Sequence, residues 1–273
     1  MRTCFMRRFM KISLLCIAGF IPNLVLAQTN IMDTLQKYSY YVSGNKKSPD
    51  GLSMQTVEGT CFFVKAANKT FLVSAKHVMT SWSTSDASKP DLYPDTLFIR
   101  FPAADTGRFI DYPVDIRQIK AHVQGSYYYK EPDVFVLEFP DTAKIQINTI
   151  EDITLHDPPK DLLASAVVYG FPPQISDGIK KGAYLEARLY SSPLENITYR
   201  DNKRNVPVSD TINYLIKCRT DVSGGYSGAP VFLKNDGSDR WYFAGIVSQG
   251  VRGDNYFFVV KPVWLQQKIG EEL

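Results

Sequence analysis

Short segments rich in valine, isoleucine, phenylalanine and tyrosine recur along this chain of 273 residues, and turn residues separate them. Few segments show the apolar spacing of about 3.6 residues that an amphipathic helix requires. Many short strands without alternating helices are typical of an all-β barrel or sandwich. The pattern predicts strands at residues 60–65, 70–74, 96–101, 133–139, 164–169, 183–190, 214–218, 229–233, 241–248 and 256–261.

Turn and breaker residues divide this series of strands. Asn68-Lys69 and Asn235-Asp236-Gly237 have the composition of hairpin turns. Residues 140–160 contain Asp157-Pro158-Pro159 and have the composition of a connector between two halves of similar size. After Pro262 the pattern changes, and a short terminal helix is predicted.

The first residues have the composition of a secretory leader. A basic stretch at residues 2–11 precedes an apolar stretch at residues 12–21, and Val25-Leu26-Ala27 follows. This order predicts a signal peptide at residues 1–27, cleaved after Ala27, and a secreted or periplasmic protein. The alternative is an uncleaved anchor, but the apolar stretch is short and Pro22 interrupts it.

Charge and hydropathy exclude two classes of partner. The chain has 31 Lys+Arg and 28 Asp+Glu residues, for a formal charge of +3, and the basic leader accounts for the positive excess. No basic stretch is interleaved with aromatic residues, so nucleic acid is not expected as a partner. No apolar run reaches about 18 residues, so stable membrane insertion is not expected either.

The cysteines give no sign of a disulfide framework or a metal site. Outside the leader the chain has only Cys61 and Cys218, and each lies in a predicted strand. Their spacing does not decide whether they pair, but their positions inside strands argue against it. Neither has a second cysteine or a histidine at ligand spacing, so no zinc site is predicted.

Three short segments carry residue types that work together in nucleophilic catalysis. Residues 71–78 form an apolar strand that ends in small residues and presents His77. Residues 131–137 place Asp133 at the start of a strand, and residues 221–232 place Ser227 among glycines before another strand. Each segment alone is ordinary strand and turn chemistry. Together they supply a base, an orienting carboxylate and a nucleophile.

The glycines before Ser227 have a specific use in such a site. A Cβ at Gly225 would hinder the backbone turn that points the amides of Gly225 and Ser227 into one cavity. Two such N–H groups form an oxyanion hole, and losing one donor typically costs about 3–4 kcal/mol.

These segments resemble the chymotrypsin-fold, trypsin-like serine proteases, particularly the bacterial HtrA-type and glutamyl endopeptidase branches. The similarity lies in residues 59–77, 133–137, 168–172, 224–232 and 245–248. It implies an all-β fold of two antiparallel six-stranded β-barrels, with the active site in the cleft between them. The N-terminal barrel, residues 28–145, would carry His77 and Asp133. The C-terminal barrel, residues 146–273, would carry Ser227 and the terminal helix, with no PDZ-like domain after it.

The order of the residues along the chain argues against other hydrolase folds. An α/β-hydrolase requires its histidine after the serine. All three histidines, His77, His122 and His156, precede Ser227. Subtilisin-like enzymes place the aspartate before the histidine, whereas Asp133 follows His77.

The resemblance also implies a function and further site residues. Ser227 would be the nucleophile, His77 the general base and Asp133 its orienting carboxylate, in a secreted endopeptidase that acts on proteins or peptides without a cofactor. Ser248 would support Asp133, and Ser248 and Gly250 belong to the segment that lines the substrate cleft. The alternative is a catalytically silent peptide-binding module on the same fold.

Specificity stays open at this level. Asp221 lies six residues before Ser227, where trypsin-like enzymes have the acidic floor of a pocket for Arg or Lys. The HtrA-type branch has a pair similar to Thr220-Asp221 at another offset, where the aspartate is not a pocket floor. Glutamyl specificity is less favoured, because that branch uses a histidine after the serine.

Tyr226 stands where zymogen-activated relatives have an aspartate that pairs with a new N-terminus. Activation by that salt bridge is therefore not expected.

Overall fold

The computed structural model describes residues 32–47, 52, 54–79, 94–103, 108–116, 132–140, 145–151, 165–172, 182–190, 198–201, 204–207, 212–219, 224–234, 241–251 and 255–273. The predicted signal peptide at residues 1–27 lies outside them. The chain divides into two compact units, Met1–Lys37 and Tyr38–Leu273. In the first, a helical segment at residues 32–36 (α1) is described.

The first half of the larger unit is a curled antiparallel sheet. Its main path runs in the order β5-β4-β1-β2-β3-β6, and β7 pairs in parallel with β2. The short helix α2 (Lys76–Met79) follows β3. The strands are β1 (Tyr40–Lys47), β2 (Met54–Ala66), β3 (Lys69–Ser74), β4 (Thr96–Pro102), β5 (Phe109–Asp115), β6 (Phe135–Phe139) and β7 (Thr149–Ile150).

This first sheet is more open than the sequence indicates. A closed six-stranded barrel is expected there, but no ladder among the described residues joins β5 to β6, so the sheet is a half-barrel. Because β7 pairs with β2, the first sheet also extends to Ile150, past the expected boundary between residues 145 and 146.

The second half is the closed barrel that the sequence predicts. Its strands follow the order β12-β15-β14-β13-β8-β9, and β10 pairs with β11 in a separate hairpin. The strands are β8 (Ser165–Gly170), β9 (Ala183–Tyr190), β10 (Thr198–Asp201), β11 (Arg204–Pro207), β12 (Asn213–Cys218), β13 (Pro230–Lys234), β14 (Trp241–Val251) and β15 (Tyr256–Val260).

The structure confirms the predicted strands, although their ends differ, and it shifts the first predicted turn by one residue. Ala66 pairs with Lys69, so Ala67 and Asn68 form a two-residue turn. Both have positive φ, 48° and 64°, as a type I′ hairpin turn requires. The second predicted turn, at residues 235–237, lies outside the described part of the chain.

An aromatic cluster fills the half-barrel. Phe63 of β2 has no exposed surface and packs edge-on against Tyr40 at 5.1 Å and Phe139 at 5.0 Å between ring centroids. It also stacks on Phe101 at 5.9 Å. These rings come from four different strands, so their burial ties the first sheet together.

The two sheets are joined by aromatic contacts and by the C-terminal helix. Phe62 lies 5.6 Å from Phe243, and Tyr41 lies 6.0 Å from Phe171, between ring centroids. Helix α3 (Pro262–Glu272) confirms the predicted terminal helix, and it packs against β6 of the first sheet and β14 of the second. Its start is fixed by Pro262, which is well tolerated in a first helical turn.

The structure gives the state of the two cysteines and the lengths of the described helices. Cys61 and Cys218, whose pairing the sequence leaves open, are both buried and free. Among the described residues, no helix has the length and apolar character needed to cross a membrane.

We expect Phe63→Ala to destabilise the protein by about 3–5 kcal/mol, because it removes a buried ring that contacts three others. The matched control is Phe109→Ala on β5, whose side chain is 53% exposed and whose loss should change stability by at most about 0.5 kcal/mol. Urea unfolding of both variants measures the difference. Equal destabilisation would show that the aromatic cluster does not hold the first sheet together.

Candidate active site

His77 is presented by the end of the first apolar hairpin. Strand β3 ends at Ser74, and the turn of α2 follows at once. The His77 backbone N–H donates to Asp133 Oδ1 at 2.9 Å, and His77 Nδ1 lies 2.7 Å from Asp133 Oδ2. An ionised carboxylate only accepts hydrogen bonds, so Nδ1 carries the proton and Nε2 is the basic nitrogen of the ring.

Asp133 is a buried carboxylate with a full set of donors. Asp133 is 3% exposed and lies two residues before the start of β6. Burial alone would raise the pKa of Asp133. The electrostatic interaction with His77 and the hydrogen bonds from His77 and Ser248 outweigh burial, so the pKa of Asp133 lies below its ordinary value. Asp133 is therefore ionised at neutral pH.

Ser248 of β14 supplies the third hydrogen bond to this carboxylate. Its hydroxyl donates to Asp133 Oδ2 at 2.6 Å, and the residue is buried. Since Asp133 lies just before β6 of the first sheet and Ser248 lies in β14 of the second, this bond links the two halves. The sequence assigned Ser248 to the substrate cleft as well, and the structure directs its hydroxyl to Asp133.

Of the other two candidate substrate-binding residues, Gly250 lies in the described part of the chain and Asp221 does not. Gly250 lies in β14, where it pairs with Phe257 of β15, and it is partly exposed. Asp221, the candidate pocket floor, lies outside the described residues.

Ser227 lies in a tight turn that only glycine neighbours allow. Gly225 and Gly228 have φ values of +89° and +84°, in the region that favours glycine. A Cβ at Gly225 would overlap the carbonyl oxygen of Phe171, and one at Gly228 would overlap the carbonyl oxygen of Thr60. The turn closes with a hydrogen bond of 2.9 Å from the Ala229 N–H to the Tyr226 carbonyl.

This turn lies beside the segment that carries His77. The Thr60 N–H donates to the Ser227 carbonyl at 3.0 Å. A Cβ on Gly228 would also come within 2.9 Å of the backbone nitrogen of Ala75, two residues before His77. The structure therefore brings Ser227, His77 and Asp133 into one region where the two sheets meet.

The proposed oxyanion-hole amides belong to the same turn. Within the described residues, neither the Gly225 nor the Ser227 N–H donates to a backbone carbonyl. The Gly225 carbonyl accepts from the Thr60 hydroxyl at 2.7 Å and from the Phe171 N–H at 3.4 Å. The first bond links the carbonyl to β2 of the first sheet, and the second links it to the segment that follows β8 of the second barrel.

Tyr226 anchors the turn in the core of the second barrel. It is 4% exposed, and its ring meets Phe257 edge-on at 5.8 Å between centroids. Burial, with smaller effects from Cys218 and Tyr169, raises the pKa of Tyr226 to about 12. The phenol is therefore neutral, and this position has no carboxylate with which a new N-terminus would pair.

Two residues near the site lie in segments that the sequence analysis named, but it gave neither of them a role. The Ser74 hydroxyl donates to the Thr60 carbonyl at 2.7 Å, and both residues are completely buried. In sequence they are ordinary hydroxyl residues of predicted strands. Their complete burial would have marked them as special, but the sequence does not show which face of each strand points inward.

The described residues contain no group of three or more His, Cys, Asp or Glu side chains that could hold a metal ion. The arrangement at Ser227 is one of hydrogen-bond donors, a basic ring and a buried carboxylate. Such a set can transfer protons and stabilise an oxyanion.

Comparison with known proteins supports the fold. No family model matches the chain, and no curated protein matches its sequence. Among solved structures, the chain is similar to a thermostable serine protease from an extremophilic microorganism, with a TM-score of 0.54 and 11% sequence identity. The similarity covers 87% of this chain and 97% of that one. At this identity the likeness concerns the fold, and the chain has a chymotrypsin-like fold.

We expect Ser248→Ala to raise the pKa of Asp133, because the ionised form loses one of its donors. The folded-state pKa of Asp133 is lowered, so its ionisation stabilises the fold above about pH 3.9 and this contribution is lost as pH falls through the folded pKa. Ser248→Ala should therefore cost about 1.5–3 kcal/mol at neutral pH and less at pH 2.

Urea unfolding across this pH range measures the difference, and Ser165→Ala on β8 is the control, since Ser165 is partly exposed and lies outside the site. A cost for Ser248→Ala that does not change with pH would contradict the link to Asp133.

Proposed function

We propose that the protein is a secreted or periplasmic serine endopeptidase that hydrolyses peptide bonds through His77, Asp133 and Ser227. The observation that carries this proposal is the buried Asp133 carboxylate, which binds both the backbone N–H and the ring of His77 beside the Ser227 turn. The chymotrypsin-like fold, shared with a serine protease, supports it as well.

The first half of the reaction forms an acyl-enzyme. Ser227 Oγ attacks the scissile carbonyl carbon while His77 Nε2 accepts the hydroxyl proton. The carbonyl oxygen becomes an oxyanion, which the N–H groups of Gly225 and Ser227 stabilise. The C–N bond then breaks as His77 delivers its proton to the leaving amine, and an ester to Ser227 remains.

The second half regenerates the enzyme. His77 Nε2 accepts a proton from water, whose oxygen attacks the ester carbonyl and forms a second oxyanion at the same amides. Collapse of this intermediate breaks the bond to Ser227 Oγ, which takes the proton back from His77. The products are a carboxylic acid and an amine, so the two halves together add one water to the peptide bond.

Asp133 contributes through charge in both halves. Each step passes through an imidazolium on His77, and an ionised carboxylate at 2.7 Å from Nδ1 stabilises that cation. The lowered pKa of Asp133 keeps the carboxylate ionised at neutral pH. The Ser248 hydroxyl supports this charge from the second barrel.

The substrate would bind along β14. Gln249 and Gly250 are partly exposed, and an extended peptide beside them would add a strand to the barrel. In this mode the protein contacts the peptide backbone, which suits protein or peptide substrates.

A cleavage profile on a peptide library separates the two interpretations of Asp221. A preference for Arg or Lys before the cleaved bond that is lost in Asp221→Asn supports the pocket floor.

Secretion is supported by the leader-like residues 1–27. Cleavage after Ala27 would leave Gln28 as the first residue of the exported protein. N-terminal sequencing of protein recovered from outside the cytoplasm tests this, and an intact leader there would contradict it.

We expect a fluorophosphonate probe to label the wild-type protein covalently and to leave Ser227→Ala unlabelled, because the probe reacts only with an activated serine. Ser165→Ala is the control, since this partly exposed serine lies in β8, away from the site, and its loss should leave labelling unchanged. Labelling is read by intact mass. A wild-type protein that is folded but not labelled would contradict the hydrolase proposal and favour a silent peptide-binding module.

A further inference from the structure

Thr60 of β2 makes two hydrogen bonds to the Ser227 turn. Its N–H donates to the Ser227 carbonyl at 3.0 Å, and its hydroxyl donates to the Gly225 carbonyl at 2.7 Å. The same hydroxyl accepts from the Phe171 N–H at 3.2 Å. Thr60 is completely buried, so water does not compete for these bonds.

The two carbonyls that Thr60 binds belong to the two residues whose N–H groups form the proposed oxyanion hole. Gly225 has φ +89° and no side chain, so its own conformational preference does little to fix the peptide that follows it. Its carbonyl has one other donor among the described residues, the Phe171 N–H at 3.4 Å, and that N–H is shared with the Thr60 hydroxyl. The Thr60 hydroxyl is therefore the short, direct restraint on this peptide.

Thr60 is itself held from the opposite side. The Ser74 hydroxyl donates to the Thr60 carbonyl at 2.7 Å. Ser74 is the last residue of β3, and His77 follows three residues later. One buried chain of hydrogen bonds thus runs from the strand before His77, through Thr60, to Gly225.

We propose that Thr60 is a positioning residue for the oxyanion hole: its hydroxyl fixes the peptide group between Gly225 and Tyr226, which lies between the two oxyanion amides, so that the Gly225 and Ser227 N–H groups converge on the substrate oxyanion. This role rests on the proposed function. Thr60 does not touch the reacting atoms, and it acts through the orientation of Gly225.

The space around the hydroxyl favours threonine or serine at this position. A Cβ on Gly170 would come within 3.1 Å of Thr60 Oγ1, so the hydroxyl lies in a closely packed pocket. Valine matches the shape of threonine but replaces the hydroxyl with a methyl group, which neither donates to Gly225 nor accepts from Phe171. Serine keeps the hydroxyl and loses only the methyl.

The test compares Thr60→Val with Thr60→Ser in the full chain. Loss of a direct oxyanion donor lowers kcat by about 10²- to 10³-fold, so loss of its positioning residue should lower kcat by roughly 10- to 100-fold. KM should stay within about twofold, because the oxyanion forms only in the transition state. Thr60→Ser should keep kcat within a few-fold of the wild type.

A second readout separates positioning from a merely structural role. A peptide boronic acid forms a tetrahedral adduct with Ser227 and uses the oxyanion hole, whereas a product peptide in the Ser227→Ala background does not require it. Thr60→Val should weaken boronate inhibition in proportion to kcat/KM and leave product-peptide affinity unchanged. Thr56→Val is the matched control, because Thr56 lies on the same strand, is exposed, and donates only to Asn45.

The outcomes are distinct. Unchanged kcat and boronate affinity in a folded Thr60→Val would overturn the proposal, as would equal losses of boronate and product-peptide affinity. Thermal unfolding confirms folding, and Thr60→Ala takes the place of Thr60→Val in both assays where the valine variant does not fold. A wild-type protein without Ser227-dependent labelling would overturn the proposed function itself, before any variant is compared.

Discussion

The buried negative charge of Asp133 sets the conditions that the rest of this structure meets. Asp133 is almost completely removed from water, and an ionised carboxylate in such a place is costly unless donors surround it. His77, in the helical turn after β3 of the first sheet, supplies two donors, and Ser248 supplies one from the second sheet. The donors that keep Asp133 ionised are therefore all present only when the two sheets pack together. The chemistry of the site depends in this way on the packing of the fold.

The nucleophile side of the site depends on the same junction. Ser227 lies in a turn whose glycines approach the backbone of Phe171 and Thr60 too closely for any side chain. Thr60 binds that turn through its N–H and its hydroxyl, and Ser74 secures Thr60 in turn. The catalytic residues proposed here are thus positioned by long-range bonds between the sheets, with the aromatic cluster and helix α3 providing the support behind them.

Local patterns predicted much of this molecule and failed where contacts are long-range. The strongly apolar strands and the terminal helix were predicted correctly, because alternation and turn residues are local signals. Strand β1 was missed because Ser43, Gly44 and Asn45 interrupt its pattern, and β5 because it contains Pro113. Proline suits an edge strand, which β5 is. The bond from Thr60 to Gly225 spans 165 positions, and no local pattern reveals it.

A crystal structure of the protein after reaction with a peptide phosphonate tests the central claim most directly. The account predicts a phosphorus atom bound to Ser227 Oγ, with one phosphoryl oxygen at hydrogen-bond distance from the N–H groups of Gly225 and Ser227. It also predicts an intact bond between His77 and Asp133. An adduct on another residue, or a phosphoryl oxygen turned away from both amides, would contradict it.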